Sequence, residues 1–302
     1  MQKILHIINK LFTGRVGVIS VPYFWLILFF LLPFLIVLKI SLAEMDIATI
    51  KPLLSYEEGF AKLNLKLGNY VALTEDNLYW NTYLRSIKYA VITTFFCLLI
   101  GYPFAYFMAR SPKRNQPALL MLVMLPFWTS FLLRIYAWKS ILENKGLLNN
   151  FLIWLGVIHE PIHMMHTSFS LVIGMVYAYL PFMILPLYAN LVKLDNRYLE
   201  AASDLGATPT QAFWRITVPL SKPGIIAGAM LVFIPCIGEY VIPELLGGSE
   251  TLMIGRVLWD EFFSNNDWPR ASAVTIVIIL LIIVPLAIFN KYEAEQLAGK
   301  TR

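Results

Sequence analysis

Six apolar runs without a charged residue follow one another along the 302-residue chain. A helix needs roughly 20 apolar residues to cross a bilayer about 30 Å thick. Four of the runs reach that length unaided, and those that start at residues 117 and 223 reach it when Arg134 and Glu239 are included. The pattern therefore predicts an all-α membrane protein with six transmembrane helices. The runs cover residues 18–38, 89–109, 117–133, 169–192, 223–238 and 271–290.

The composition agrees with this pattern. Hydrophobic residues make up 58% of the chain and charged residues 14%, and the mean hydropathy is +0.66. A soluble domain is typically about 45–50% apolar and about 25% charged. The sequence therefore predicts one membrane domain over residues 18–292 and no attached soluble catalytic domain. The first run is longer than the roughly 7–15 residues of a signal h-region, so we expect it to be a retained span.

Six spans leave two sets of flanking segments, one on each side of the membrane. Basic residues are unevenly distributed between these two sets. One set holds 13 Lys or Arg in 66 residues, and the opposite set holds 6 in 92, leaving out five at the outer span ends. Because Lys and Arg near span ends favour the cytoplasmic side, the segments 1–17 and 293–302 are expected to be cytoplasmic. The net charge of +5 then reflects topology, not nucleic-acid binding. The basic set is 1–17, 110–116, 193–222 and 291–302; the other is 43–83, 143–168 and 246–270.

The segment 193–222 carries helix signals on the predicted cytoplasmic side. Asp195 or Asn196 can cap a short helix through Leu205, which Gly206 ends, as glycine does past a helix C-terminus. Residues 208–211, Thr-Pro-Thr-Gln, start a second helix with a capping box and a proline at its first position. Pro219 and Pro223 are expected to stop that helix before the fifth span. Two short helices on the cytoplasmic side indicate a segment that docks on another protein. The alternative is an ordinary ordered loop.

Spaced residues in this loop resemble a known motif. Glu200-Ala201-Ala202 is followed after three residues by Gly206, after nine more by Ile216, and then by Val218-Pro219. The pattern resembles the EAA loop of binding-protein-dependent ABC importer permeases, in which leucine is usual at the position of Val218. The resemblance implies that the loop couples the spans to a separate ATPase. The residues that carry this role are Glu200, Ala201, Ala202, Gly206, Ile216 and Pro219.

The resemblance covers nearly the whole chain. Residues 21–37, 39–45, 125–138, 237–248 and 253–263 are similar to polyamine permeases, first of the putrescine H type and next of the spermidine/putrescine B type. It implies the type I importer permease fold, the cell inner membrane, and import of polyamines, above all putrescine. It also implies a homologous second permease, a pair of ATP-binding subunits that use ATP and Mg, and a periplasmic polyamine-binding protein. The chain itself is expected to bind no cofactor or metal. The same machine carrying ferric ion, thiamine or sulfate is the alternative.

A route for an organic dication needs negative or aromatic surface that does not hold the substrate too tightly. Glu239 stands about 16 residues into the fifth span, in the outer half of the membrane. A charge at such a depth usually faces a bundle interior or a watery cavity, and a structural pair with Arg134 is the alternative. Further candidates for the path are Tyr240, Glu244, Trp128, Trp259, Asp260 and Glu261.

Two enzyme-like motifs in the chain lack a feature that their chemistry requires. Residues 159–163 read His-Glu-Pro-Ile-His and fit the HExxH pattern, whose histidines must share one face of a continuous zinc-binding helix. Pro161 disfavours that helix because it lacks an N–H and its ring clashes with the preceding turn. A metallopeptidase using His159 and His163 is therefore a weak alternative. Gly299-Lys300-Thr301 ends like a phosphate-binding loop, but Ala294 stands at the first glycine position, so ATP hydrolysis is expected in a partner.

Overall fold

The computed structural model describes residues 15–46, 49–51, 54–57, 60–63 and 66–299. Contacts divide the chain into two units, which are described separately. One unit takes in residues 1–75 and 261–277, and the other residues 76–260 and 278–302.

The first unit opens with a long apolar helix. It consists of α1 (Arg15–Leu26), a π-helical segment (Ile27–Leu31) and α2 (Leu32–Ser41). Two short antiparallel hairpins follow, which the all-α prediction did not include: β1 (Met45–Asp46) with β2 (Thr49–Ile50), and β3 (Leu54–Glu57) with β4 (Phe60–Leu63).

The helix α3 (Gly68–Glu75) is tied to the end of α2. The Asn69 side-chain amide donates to the carbonyl oxygens of Ser41 and Ala43, each at 3.0 Å. The Lys66 ammonium lies 2.5 Å from Glu44 and, with Lys51, holds the pKa of the exposed Glu44 carboxyl below its usual range. The described residues between 43 and 75 therefore include ordered elements and are not a bare loop.

The second unit is built around three helices that pack on one another: α4 (Asn77–Arg110), α8 (Ser168–Leu191) and α12 (Lys222–Ile237). Cys97, Met183 and Cys236, one from each helix, are fully buried. The remaining helices of this unit are α5 (Gln116–Met124), α6 (Phe131–Leu142), α7 (Leu147–Trp154), α9 (Arg197–Asp204), α10 (Pro209–Ala212), α11 (Val218–Leu220), α13 (Val241–Leu246) and α14 (Ile254–Trp259). The last helix, α15 (Trp268–Gly299), begins in the first unit.

The described residues contain four to six candidate membrane spans, against the six that the sequence predicts. Four are long enough to cross a membrane by themselves: Ile19–Ser41, Asn77–Arg110, Ser168–Leu191 and Trp268–Ala287. Two more arise if each of two bent pairs is one span. These are Gln116–Trp128 with Phe131–Trp154, bent by 86°, and Pro209–Leu220 with Lys222–Ile237, bent by 62°.

The sequence predicts that the runs starting at residues 117 and 223 reach spanning length by continuing through Arg134 and Glu239. The two bent pairs correct this prediction. The third span does not pass straight through to Arg134, because the chain turns extended at Thr129 after a 3-10 turn (Leu125–Trp128). The fifth does not continue through Glu239, because α12 ends at Ile237 with Gly238 as its C-cap. The helical segment that precedes it, Pro209–Leu220, is bent from it by 62°.

Candidate functional site

The 193–222 loop consists of two helical segments joined by a left-handed glycine. The first, α9, ends at Asp204, and Gly206 has a φ of +80°. The N–H of Gln211 donates to the Thr208 hydroxyl at 3.3 Å, and the N–H of Thr208 donates to Gln211 Oε1 at 3.0 Å. This capping box, with Pro209 at the start of α10, confirms the local geometry that the sequence predicts.

The predicted coupling residues divide into an inner and an outer set. Ala202 is buried, as is Ala212 of the second segment, and the two segments pack together there. Leu205, between them, has 89% of its surface exposed. Glu200, Ala201, Gly206 and Pro219 are exposed, and Ile216 is half-buried. The loop therefore presents a partly apolar outer surface on a folded base.

Pro219 does not stop the second segment, which corrects the sequence prediction. Helical structure runs from Pro209 through a π-helical turn (Phe213–Thr217) to Leu220. Pro219 stands in the first turn of α11, directly after that wide turn, where its missing N–H disturbs the helix least. The break comes at Ser221, and Pro223 lies in the first turn of α12.

Aromatic contacts fix the loop to α4. The Phe213 ring meets the Tyr102 and Tyr106 rings edge to face, with centroids 5.7 and 5.6 Å apart. The Tyr102 and Ser221 hydroxyls are 2.9 Å apart, and Arg110 donates a hydrogen bond to Asn196 at the other end of the loop. These contacts attach both ends of the loop to α4.

Glu239 lies at the break between α12 and α13, and its carboxylate holds that break together. Oε1 accepts the N–H groups of Val241 at 3.0 Å and Ile242 at 3.3 Å. Oε2 accepts the hydroxyl of Tyr179 on α8. The alternative of a pair with Arg134 is wrong, because the Arg134 guanidinium lies over the Phe127 and Phe131 rings instead, each at 5.6 Å.

Acidic and aromatic side chains gather beside this break. The Tyr240 ring stacks on the Trp259 ring, with centroids 4.4 Å apart and planes 13° from parallel. Arg256 Nε lies 2.7 Å from Glu244 Oε2. The charges of Glu244, Asp260 and Arg256 all act on the Tyr240 hydroxyl. We call these residues the acidic–aromatic cluster: Glu239, Tyr240, Glu244, Arg256, Trp259 and Asp260.

Two contacts position α14 against the break. The N–H of Ile254 donates to the hydroxyl of Ser86 on α4 at 2.8 Å. Gly255 approaches the backbone so closely that a Cβ there would lie 2.5 Å from the Gly238 oxygen and 2.6 Å from the Glu239 oxygen. Both contacts hold Arg256 and Trp259 in place.

Two of the predicted path residues are not placed in this cluster. Trp128 ends the 3-10 turn at the bend between α5 and α6, and 75% of its surface is exposed. Glu261 belongs to the first unit, where its side chain is buried and accepts a hydrogen bond from Asn265 at 3.0 Å. The structure therefore does not bring these two residues together with the others, and their place in the path stays a prediction.

Comparison with known proteins identifies the family. The family of binding-protein-dependent transport system inner membrane components matches residues 101–294, which contain both the loop and the cluster. The chain belongs to this family. It is accordingly a multi-pass permease subunit of the inner membrane and not an enzyme, as the sequence predicts.

Relatives of this permease are similar over nearly its whole length. The spermidine/putrescine transport system permease protein PotB of Escherichia coli K12 is 44% identical over 91% of this chain and 96% of its own. PotB of Salmonella typhimurium SL1344 is 43% identical over 91% and 92%, and PotB of Haemophilus influenzae 42% over 98% and 98%. These relatives are of the B type, the second of the two types that the sequence predicted.

A solved structure has the same fold as this permease. A chain of a bacterial ABC transporter involved in the import of the acidic polysaccharide alginate superposes with a TM-score of 0.65 at 18% identity. The match covers 96% of this chain and 98% of that one. The ABC importer permease fold that the resemblance implied is therefore confirmed.

The HExxH residues of the permease lie in an irregular segment between α7 and α8. No helix covers residues 159–163, all of which the structure describes. The His163 ring instead lies 3.3 Å from the Asn144 side-chain oxygen, and the His166 ring 2.8 Å from the Gly247 carbonyl oxygen. The pattern therefore lacks the shared helix face that zinc-peptidase chemistry requires.

Sequence reasoning missed three residues that build the cluster. Tyr179, Ser86 and Arg256 meet partners 60, 168 and 12 residues away in the chain. Tyr179 and Ser86 are ordinary side chains within long helices and carry no local signal. Arg256 did carry one, because it is a lone basic residue within an apolar stretch three residues before Trp259.

Proposed function

We propose that this permease forms the transmembrane route of an ATP-driven importer for polyamines, both putrescine and spermidine. The observation that carries the proposal is the 42–44% identity, over 91% or more of the chain, to permeases named for spermidine and putrescine transport. Preference between the two amines depends largely on the binding protein that delivers them.

We further propose the partners that such a machine requires. They are a homologous second permease, a pair of ATP-binding subunits that use ATP and Mg, and a periplasmic polyamine-binding protein. With both termini in the cytoplasm, the 193–222 loop faces the ATPase. The exposed Glu200 and Leu205 on its outer surface, with the anchored Phe213 beneath, support a role in coupling.

We propose the acidic–aromatic cluster as part of the substrate path. Stacked Tyr and Trp rings attract organic cations through their faces, and Asp260 and Glu244 add negative charge beside them. Glu239 contributes charge while also holding the break in α12–α13. The cluster thus matches the chemistry of an aliphatic diamine and would serve the anion sulfate poorly.

Uptake by cells tests the proposed substrate. A strain without its own polyamine importers would express the permease with its partner subunits and be given labelled putrescine or spermidine. We expect energy-dependent uptake that unlabelled polyamines suppress and that ferric ion, thiamine and sulfate leave unchanged. Suppression by one of those three solutes alone would contradict the polyamine assignment.

Replacing Glu239 by glutamine is expected to lower polyamine uptake severalfold at a normal level of assembled complex. The amide keeps an oxygen for the Val241 and Ile242 N–H groups but loses the negative charge. Glu239→Ala should also reduce the amount of complex, since an unsatisfied buried polar group costs about 1–3 kcal/mol. The measurement is initial uptake rate divided by complex on the membrane.

Tyr179→Phe is the matched control for this prediction. It removes the hydrogen bond to Oε2 but leaves the Glu239 charge in place. We expect its uptake to stay nearer to wild type than that of Glu239→Gln. Normal uptake by Glu239→Gln at normal expression would remove this residue from the path.

A further inference from the structure

The ion pair between Arg256 and Glu244 lies beside the stacked Tyr240 and Trp259 rings. Its nitrogen and oxygen are 2.7 Å apart, and the two side chains are 31% and 38% exposed. Arg256 and Trp259 are three residues apart on α14, a spacing at which helix side chains are neighbours. A cation of the protein itself therefore occupies part of the acidic surface that an organic cation would use.

The carboxylates of the cluster are not equally available to a substrate. Both oxygens of Glu239 already accept hydrogen bonds. Glu244 and Asp260 remain, and the first of these is paired with Arg256. The formal charge of these last two acids with Arg256 is −1 in the structure and would be −2 with the guanidinium displaced. Only the charge of −2 is equal in size and opposite in sign to the charge of an aliphatic dication.

The Arg256 side chain is less constrained than the backbone that carries it. Its helix begins at Ile254, which is fully buried, as is the N-cap Met253, and the Ile254 N–H is bonded to Ser86. Gly255 packs closely against the carbonyl oxygens of Gly238 and Glu239. The arginine side chain, by contrast, is 31% exposed and sits on a flexible stem.

We infer that Arg256 is a resident cation that occupies Glu244 until an ammonium group of the substrate replaces it, and that its return releases the substrate. The inference rests on the proposed function, since it requires a substrate that is an organic cation. A route must bind its substrate weakly enough to let it leave. Arginine suits this task because it remains charged at every working pH.

Retention of labelled spermidine by the purified complex tests the inference. The complex of both permeases and the ATPase, without the binding protein, is equilibrated with the amine at low salt. We expect Arg256→Gln to retain severalfold more spermidine than wild type, because Glu244 stays open. With binding protein and ATP added, the same variant should show a severalfold lower maximal uptake rate, because release is slowed.

Three further variants separate this role from a purely structural one. Arg256→Lys keeps a cation and should restore most of the uptake. Adding Glu244→Gln to Arg256→Gln should return retention to the wild-type level. Arg270→Gln removes an arginine from a different ion pair, with Asp267 at 3.5 Å, and should retain no more amine than wild type.

Equal retention by wild type and Arg256→Gln, at equal amounts of complex, would overturn the inference. If that variant does not assemble, Glu244→Gln alone decides: its uptake should fall severalfold, and unchanged uptake would overturn the inference as well. A wild-type complex that takes up no polyamine contradicts the proposed function instead, so the two failures are distinguishable.

Discussion

An alanine at position 255 is expected to remove most polyamine uptake and to lower the amount of assembled complex. Its Cβ would lie 2.5 and 2.6 Å from the carbonyl oxygens of Gly238 and Glu239, distances that no real Cβ tolerates. Those oxygens belong to backbone, so α14 must move away from the break and take Arg256 and Trp259 with it. Overpacking of this kind typically costs about 1–3 kcal/mol.

Gly238→Ala provides the matched control at the other side of the same contact. Its φ is −92°, which any residue adopts, and a Cβ there meets nothing within 4 Å. We expect normal assembly and near-normal uptake from this variant. Uptake by Gly255→Ala equal to that of Gly238→Ala would contradict the view that the position of α14 matters for the path.

Valine at position 206 is expected to abolish coupled transport while leaving the permease inserted in the membrane. Gly206 has a φ of +80°, a left-handed conformation that costs a residue with a Cβ roughly 1–2 kcal/mol. No neighbour lies within 4 Å of the added atom, so the backbone strain alone acts. Relief of that strain would reorient α9 relative to α10 and disturb the surface proposed to dock on the ATPase.

Gly156→Val separates this local effect from general strain. Gly156 has a φ of +70° and equally open surroundings, but it follows α7 and not the coupling loop. We expect it to keep uptake while Gly206→Val loses it, with ATP hydrolysis and ATPase binding measured in both. Normal uptake and normal ATPase binding by Gly206→Val would show that the loop does not dock.

The sequence predicted the helices and the local geometry of the loop well. Long apolar runs are sufficient to place spans because the bilayer demands their length. The turn at Gly206 and the capping box at Thr208 and Gln211 depend on residues within four positions of each other, so their signals are readable without tertiary contacts.

The bends and the side-chain partners were not predictable in the same way. Hydropathy does not reveal that a span turns by 86° between Trp128 and Phe131, or that α12 stops before Glu239. The partner of Glu239 depends on which faces of α8 and α12 meet, and Tyr179 lies 60 residues away in the chain. The alternative pairing with Arg134 was therefore wrong, and Tyr179 was missed. The start of α4 at Asn77 was also missed, because Asp76 caps a polar turn that lies outside the apolar run.

ATP-driven uptake into proteoliposomes tests the central claim most directly. The purified complex of this permease, its second permease and the ATPase would be reconstituted with ATP inside and the binding protein outside. We predict accumulation of labelled putrescine and spermidine that requires ATP, the binding protein and an intact Gly206. Accumulation that persists without ATP, or a complex that hydrolyses ATP in response to the loaded binding protein yet moves no polyamine, would contradict the account.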